Sequence, residues 1–287
     1  DTGKDKDKDK DKDQDQDQEN IQNTTSLQEL DEYIKGPDKF PLEQGRFGYL
    51  PMQIQRFLMI DNKSCQISAA NTNLKKNKPC YLRKGVESSK GSSFLACISD
   101  VYSEINNNKI LSIDMFIRDK ILPLLTIDNF VKYQNGNLVT DFKSKDTTDI
   151  NIEDAYDTKI YKLLHENNKV QLKSVISAYN NFKLFLESPS AAIDYKYMWD
   201  LICDNNKLLF PSGVNLIILE LPQDDITSNV NIICPSNFYS NNKFDSNKNT
   251  IIIMKKYEYF EPIYIVTDKS KTTITSFATV KMFIPEL

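Results

Sequence analysis

The chain has 287 residues, of which 40% are hydrophobic, and a formal net charge of −4. This length and apolar content are enough for one large domain or two small ones, which excludes a wholly disordered protein. Residues 1–19 form an Asp-Lys repeat that passes into an Asp-Gln repeat, and we expect this low-complexity tail to be disordered. The tail holds nine acidic and five basic residues, so the remaining 31 basic and 31 acidic residues balance, and bulk charge gives no support for a nucleic-acid partner.

Cysteine and histidine usage restricts the possible chemistry. The five cysteines are widely spaced without a Cys-x-x-Cys pair, which predicts reduced thiols in an intracellular compartment rather than a secreted protein, with Cys97 and Cys234 buried. His165 is the only histidine, and a structural role late in a helix is favoured over a triad or a metal site. We expect no cofactor, no metal and no membrane partner, because no window holds the ~20 continuous apolar residues of a transmembrane helix.

After a disordered tail and linker over residues 1–39, residues 40–189 are predicted to be mainly helical. Ser112 and Thr126 are suitable N-caps, and Asn135-Gly136 is a suitable helix end. Helical spacing of apolar residues predicts helices over 51–60, 93–105, 112–122, 126–135, 151–165 and 169–186. The absence of an initiator Met and the abrupt end also suggest a fragment of a longer protein.

Residues 190–287 are predicted to form a sheet-bearing region packed on the helical one. A helix over 191–203 carries Trp199, and short β-rich runs follow at 214–219, 230–234, 250–254, 263–266 and 273–277. Several runs are apolar on both faces, which indicates a sheet covered on both sides by the Trp199 helix and its predecessors. The predicted class is therefore α+β: a helix-rich N-terminal half, then a mixed sheet of about five strands covered by helices.

A basic, glycine-bearing loop is predicted to lead directly into the helix over 93–105, in which Ser92 or Ser93 is the N-cap. Leu95, Ile98 and Tyr102 belong to one apolar face and are predicted core residues. Arg83, Lys84 and Lys90 are predicted to form an exposed basic cluster beside the positive end of the helix dipole, where a phosphate backbone can bind. The alternative is a solvated connector. A P-loop is excluded, because Lys90 precedes Gly91.

Three groups of motifs occur together and in order: Gly45-Arg46-Phe47-Gly48-Tyr49-Leu50-Pro51, the run over 82–100, and the run over 229–237 with Tyr259-Phe260-Glu261-Pro262-Ile263-Tyr264. As a set, covering residues 45–266, they resemble the large subunit of the early transcription factor of nucleocytoplasmic large DNA viruses, the giant-virus relatives of the poxvirus factor. The Asn-, Lys- and Ile-heavy composition is typical of such AT-rich genomes.

This resemblance implies an internal fragment of a non-enzymatic initiation-factor subunit, found in the virion and the host cytoplasm. Such a subunit binds early promoter DNA, pairs with a small helicase-type ATPase subunit and recruits the viral RNA polymerase. No family motif fixes the DNA contacts, so a scaffold role through protein contacts is equally compatible.

The region around Lys255 and Lys256 permits two further interpretations. Its aromatic neighbours over 259–264 could stack on unpaired bases while the lysines follow the backbone, although alternating aromatics are also ordinary strand residues. The order of elements, with Glu220 and Asp224-Asp225 before the two lysines, is also that of a restriction-endonuclease core.

A working nuclease site of that type needs an acidic residue two positions before the lysine. The chain instead has Ile253 and Met254 at those positions. We therefore expect no enzymatic activity, and a nuclease-like domain that is catalytically inactive remains the alternative function.

Overall fold

The computed structural model describes residues 34–68, 74–75, 78–87, 91, 93–106, 108–223, 229–234, 240, 244–268 and 271–274. Within these residues the fold is α+β, as predicted, with one mixed sheet and helices packed on it. The strands are β1 (Phe47–Tyr49), β2 (Cys80–Lys84), β3 (Val214–Leu221), β4 (Asn231–Ile233), β5 (Asn249–Lys256), β6 (Tyr259–Asp268) and β7 (Lys271–Ile274). They are ordered β1-β2-β6-β5-β3-β4, and β7 pairs with β6. Only β3 and β5 run parallel to each other.

The helices follow local capping signals closely. They are α1 (Met52–Phe57), α2 (Ser93–Ile105), α3 (Ile113–Phe116), α4 (Ile127–Phe130), α5 (Asn137–Phe142), α6 (Lys159–Leu164), α7 (Lys169–Glu187) and α8 (Tyr195–Cys203). Ser112 and Thr126 cap α3 and α4, which confirms both predicted N-caps. A π-helical turn at Ile117–Ile121 and a 3₁₀ turn at Leu122–Leu124 extend α3. No helix in the described part of the chain combines the length and hydropathy that a membrane crossing requires.

Two predicted helices are interrupted. The helix predicted over 126–135 ends at Phe130, and a 3₁₀ turn at Tyr133–Gly136 follows, in which Gln134 and Asn135 have left-handed φ angles of 50° and 54°. The buried Asp200 carboxylate accepts a hydrogen bond from the Gln134 backbone N–H at 2.9 Å and thereby holds this turn. The helix predicted over 151–165 is a 3₁₀ turn followed by α6, which Thr158 caps, and His165 stacks on Tyr161 at 4.8 Å.

Strands β1 and β2 correct the prediction of a mainly helical region over 40–189. Both pair into the sheet, with Gly48 opposite Arg83 and Leu82 opposite Tyr264. The sequence prediction failed because β2 carries Arg and Lys, which are rarely buried and are read as loop residues. The predicted linker is also too long, since Ile34 is only 3% exposed and Lys35 pairs with Gly48. Residues 1–33 of the tail and linker predicted over 1–39 lie outside the described residues, as does most of the strand predicted over 273–277.

Both faces of the sheet are covered, but by different elements. On one face, β3 and β5 residues such as Ile218 and Ile253 share a core with α2, α8 and the fully buried Trp199. On the other face, alternate residues such as Leu219 and Met254 pack on the segment around α1, which lies within the helix predicted over 51–60. Leu95, Ile98 and Tyr102 of α2 are 0%, 0% and 8% exposed, which confirms them as core.

The cysteines depart from the predicted pattern. Cys65 and Cys80 form a disulfide across the 3₁₀ turn at Asn62–Ser64 and β2, with their Cα atoms 5.6 Å apart. The prediction of reduced thiols is therefore wrong for this pair, which the fold joins across 15 residues of sequence. Cys97 is buried as predicted, whereas Cys234 is exposed, because it follows the short strand β4 at the edge of the sheet.

Candidate functional site

Arg83 lies inside the sheet and not in an exposed loop. Its side chain is fully buried, and Nη1 donates to Glu261 Oε2 at 2.6 Å. Nε donates to the Tyr49 carbonyl at 2.9 Å, and Nη2 donates to the carbonyls of Gly36 and Lys39. All three guanidinium nitrogens therefore donate to the protein itself, and the prediction that Arg83 is exposed to a phosphate backbone is wrong.

Lys84 is also turned inward. Its Nζ lies 2.9 Å from Asp100 Oδ1 and 2.7 Å from Glu104 Oε1, and its side chain is 7% exposed. Tyr264 Oη donates to the other Asp100 oxygen at 2.6 Å. Burial lowers the pKa of Lys84, but the two carboxylates outweigh burial and leave the pKa above its ordinary value. The predicted exposure of Lys84 is therefore wrong, and Lys90 lies outside the described residues.

We call Arg83, Lys84, Asp100, Glu104 and Glu261 the ionic cluster. Burial raises the pKa values of Asp100 and Glu261, while the paired cations act in the opposite direction. A signal for the cluster is present in the sequence: Asp100 and Glu104 are four residues apart on a helix whose other side chains are mostly apolar. Buried carboxylates require cationic partners, and that requirement points to a buried basic strand.

Lys255 and Lys256, the other candidate cations, end strand β5. Lys255 Nζ lies 2.5 Å from Glu220 Oε1 of the adjacent strand, and both side chains are half-buried. Lys256 Nζ lies 5.5 Å from the ring centroids of Phe40 and Tyr257, which is cation–π distance. These two cations therefore already have partners within the fold.

The motif over 259–264 is largely internal. Phe260 and Tyr264 are 5% and 2% exposed, so neither ring can stack on a nucleic-acid base. Phe260 packs against Phe94 with ring centroids 5.5 Å apart, and its backbone N–H donates to Ser93 Oγ at 3.3 Å. These aromatic residues fix the first turn of α2 on the β5–β6 hairpin, which is their structural role.

Of the acidic and lysine residues that the nuclease interpretation invokes, the described structure brings one pair together. Glu220 and Lys255 are paired, whereas Asp224 and Asp225 lie outside the described residues. Ile253, two positions before Lys255, is fully buried in the apolar core. Among the residues that the structure describes, no group of three or more His, Cys, Asp or Glu side chains could hold a metal ion.

A groove of about 440 Å³ opens beside the first turns of α2. Its described walls come from four places in the chain: Glu87 and Gly91 before α2, α2 itself, α3 with the π-helical turn, and the α7–α8 connection. Its floor is apolar and consists of Leu95, Ile113, Ile117, Leu186 and Ile193. We call this cavity the α2 groove. The sequence does not predict this groove, because no single segment carries a pattern that indicates a binding site.

The rim of the α2 groove is acidic. Glu87, Asp114 and Glu187 line it, and the only described cation that lines it is Arg118. The Arg118 guanidinium makes two hydrogen bonds to the carboxylate of Asp119, at 2.6 and 3.1 Å, so its charge is already compensated. An anion site was predicted beside the start of α2, whereas the described charged residues that line the groove there are three acids and Arg118. Lys90 of the connection before α2 lies outside the described residues.

No protein-family model, no curated protein and no solved structure matches the chain. The ionic cluster, the paired lysines of β5 and the α2 groove are therefore what the structure offers for assigning a function. The motif resemblance to the viral early transcription factor stands beside them as a separate, sequence-based observation.

Proposed function

We propose that this chain is a fragment of a non-enzymatic subunit of a viral early-transcription initiation factor, and that its described region acts mainly through protein contacts. The proposed partners are the viral RNA polymerase and the small helicase-type ATPase subunit, with promoter DNA as a further partner of the assembled factor. Support for this comes from where the resembling motifs lie. The runs over 45–51, 82–100 and 259–264 contribute to the neighbouring strands β1, β2 and β6, and the Arg83–Glu261 ion pair joins β2 to β6. The run over 229–237 contributes β4, at the other edge of the sheet.

Protein contacts are favoured over DNA contacts because positively charged side chains that were candidates for DNA binding are paired within the fold. Arg83 and Lys84 are buried in the ionic cluster, and Lys255 is paired with Glu220. DNA affinity depends on cations that are free to replace counterions at phosphates. A surface on which the four described candidate cations have partners within the fold, beside a groove lined by described carboxylates, suits a protein partner better than a duplex.

The test combines the chain with purified viral RNA polymerase, with the small subunit and with a fluorescent early-promoter duplex. We expect a stoichiometric complex with at least one of the two proteins by size exclusion with light scattering. Anisotropy with the chain alone should show weak DNA binding between about 50 and 200 mM salt, and Lys255→Ala/Lys256→Ala should change it less than about twofold. Tight DNA binding by the chain alone, or no complex with either protein, would contradict the proposal.

The nuclease-like alternative keeps one favourable observation, the Glu220–Lys255 pair on adjacent parallel strands. An acid and a lysine side by side at a sheet edge are part of such a core, although a metal site needs further carboxylates. The chain with Mg²⁺ or Mn²⁺ should leave supercoiled, linear and single-stranded DNA intact and should release no phosphate from ATP. Metal-dependent nicking that disappears in Glu220→Ala would establish the nuclease instead.

A further inference from the structure

We infer that the α2 groove docks a basic, amphipathic segment of a partner protein. This inference rests on the proposed protein-contact function and adds to it the location of the contact and the chemistry of the partner. Its basis is the combination of an apolar floor with a carboxylate rim in one cavity of about 440 Å³.

The shape of the groove favours side chains of a protein segment over an enclosed small molecule. Asp114 and Glu187 on the rim are exposed, whereas the floor residues Leu95 and Leu186 are 0% and 1% exposed. A small ligand is usually held in a closed pocket that buries most of its surface. An open groove over a narrow apolar floor is instead suited to a few anchoring side chains from a segment that lies across it.

One wall of the groove has an unusual backbone. After α3 the chain changes from an α-helix to a π-helical turn at Ile117–Ile121, and then to a 3₁₀ turn that contains Pro123. Proline lacks the N–H that would continue the helical hydrogen bonds, so the change of helix type precedes it. The π-helical turn contributes Ile117 to the floor and Arg118 to the rim. Such turns occur frequently at functional sites, which agrees with a binding role for this wall.

The charge of the rim indicates the sign of the charge that a partner should carry. Asp114 and Glu187 take part in no ion pair among the described residues, and Arg118 is neutralised by Asp119. Lysine or arginine side chains flanking apolar anchors would meet these carboxylates, and complementary charge gives specificity and faster association. The phosphates of a nucleic acid would meet these two carboxylates unfavourably. The N-terminal repeat of this chain is net acidic over residues 1–19, so it is not a complementary occupant either. The favoured occupant is therefore a basic segment of another protein.

The test uses the full chain and three synthetic helical peptides of equal length. The first peptide carries Leu on one face of its helix and Lys on the opposite face. The second has Glu in place of each Lys, and the third has Ala in place of each Leu. We expect saturable one-to-one binding of the Leu/Lys peptide, at least about tenfold tighter than either of the others, because both charge and apolar contact contribute. Equal binding of the Leu/Glu peptide, or no saturable binding of the Leu/Lys peptide, would overturn the inference.

Three variants test whether the Leu/Lys peptide binds in the α2 groove. Asp114→Lys/Glu187→Lys should weaken binding of the Leu/Lys peptide by at least about tenfold. The matched control, Asp149→Lys/Asp157→Lys, changes two exposed carboxylates outside the groove and should alter binding less than about twofold. Ser188→Trp places an indole at the half-buried groove wall and should block the peptide without changing net charge. Equal losses in both charge-reversal variants, or unchanged binding in Ser188→Trp, would place the peptide elsewhere.

Two further outcomes separate this inference from the proposed function. If light scattering shows a dimer that Asp114→Lys/Glu187→Lys converts to a monomer, the groove holds a second copy of the chain and the inference is wrong. The peptide titration contains no polymerase, so it can fail while the chain still forms its transcription complex. Conversely, peptide binding can succeed while no polymerase complex forms, which would overturn the proposed function alone.

Discussion

The ionic cluster and the α2 groove share helix α2 but use charge in opposite ways. In the cluster, each carboxylate has a cationic partner within the fold, and Lys84 and Asp100 are almost completely removed from water. At the groove, Asp114 and Glu187 face solvent and pair with no described residue. The difference separates charges that hold the fold together from charges that are available to a partner.

The energetic consequences of the two arrangements also differ. A buried ion pair gains little over a well-packed apolar pair, because desolvation offsets the attraction, but the loss of one partner leaves an uncompensated charge in the interior. An exposed carboxylate loses little when it is replaced, since water solvates it in both the folded and the unfolded state. Substitutions in the ionic cluster and at the groove rim therefore test whether the two kinds of charge differ in this way.

The largest expected effect is at Arg83. Arg83→Met should lower the free energy of unfolding by about 3–5 kcal/mol, because Glu261 and the carbonyls of residues 36–39 lose their donor in the interior. Urea unfolding followed by circular dichroism measures the change. The matched control is Arg118→Met, which removes an exposed guanidinium from its pair with Asp119 and should lower the free energy of unfolding far less than Arg83→Met does. Similar losses in the two variants would remove the distinction between the cluster and the groove.

A substitution at Leu95 tests the part of α2 that contributes to both the main core and the α2 groove. It is fully buried in the main core and also forms part of the groove floor. Leu95→Ala should cost about 2–5 kcal/mol through the cavity that it leaves. Leu184→Ala, at a 64% exposed position of α7, should cost less than about 0.5 kcal/mol. A small loss at Leu95 would mean that this stretch of α2 packs loosely enough to be chiefly a binding surface.

A third, smaller effect is the response to alkaline pH of Tyr264 and Cys97, two buried groups beside the ionic cluster. Burial raises the pKa of Tyr264 well above its ordinary value of 10.0, with a further contribution from Asp100, and burial also raises the pKa of Cys97 above 9.0. The folded state thus keeps these protons longer than the unfolded state does. Their contribution to stability is complete below pH 9 and is lost as the pH rises toward the raised values.

Urea midpoints measured from pH 8 to about 11 check this sign. The wild-type midpoint should fall across that range, and the fall should be shallower in Tyr264→Phe, because that variant removes one of the buried groups whose pKa is raised in the folded state. Parallel curves for the two proteins would show that the titration of Tyr264 does not couple to folding.

The smallest expected effect is at the groove rim. Asp114→Asn should change the free energy of unfolding by less than about 0.5 kcal/mol, since the side chain is exposed and unpaired among the described residues. The same variant should weaken binding of the Leu/Lys peptide measurably. Thermal unfolding and peptide titration on one preparation give both numbers. A clear loss of stability would mean that Asp114 supports the fold after all.

Local patterns predicted the parts of the fold that depend on neighbours in sequence. The apolar face of α2, the length of α7 and the caps Ser112 and Thr126 follow from spacings of three to four residues. Strand β2 could not be found in this way, because Arg83 becomes a core residue only through Glu261, which is 178 residues away. The α2 groove has the same origin, since its four walls meet only in the folded chain.

The contacts between Arg83 and the segment over 36–39 have a practical consequence for shortening the protein. Arg83 binds main-chain carbonyls of that segment, and Glu261 accepts the main-chain N–H of Leu42. Side chains such as Asp38 and Lys39 are exposed and can be changed freely, whereas the peptide itself must be present. A recombinant fragment that begins at Gly45, the first residue of the recognisable motifs, would lack these acceptors and should express poorly. One that begins at or before Ile34 keeps them.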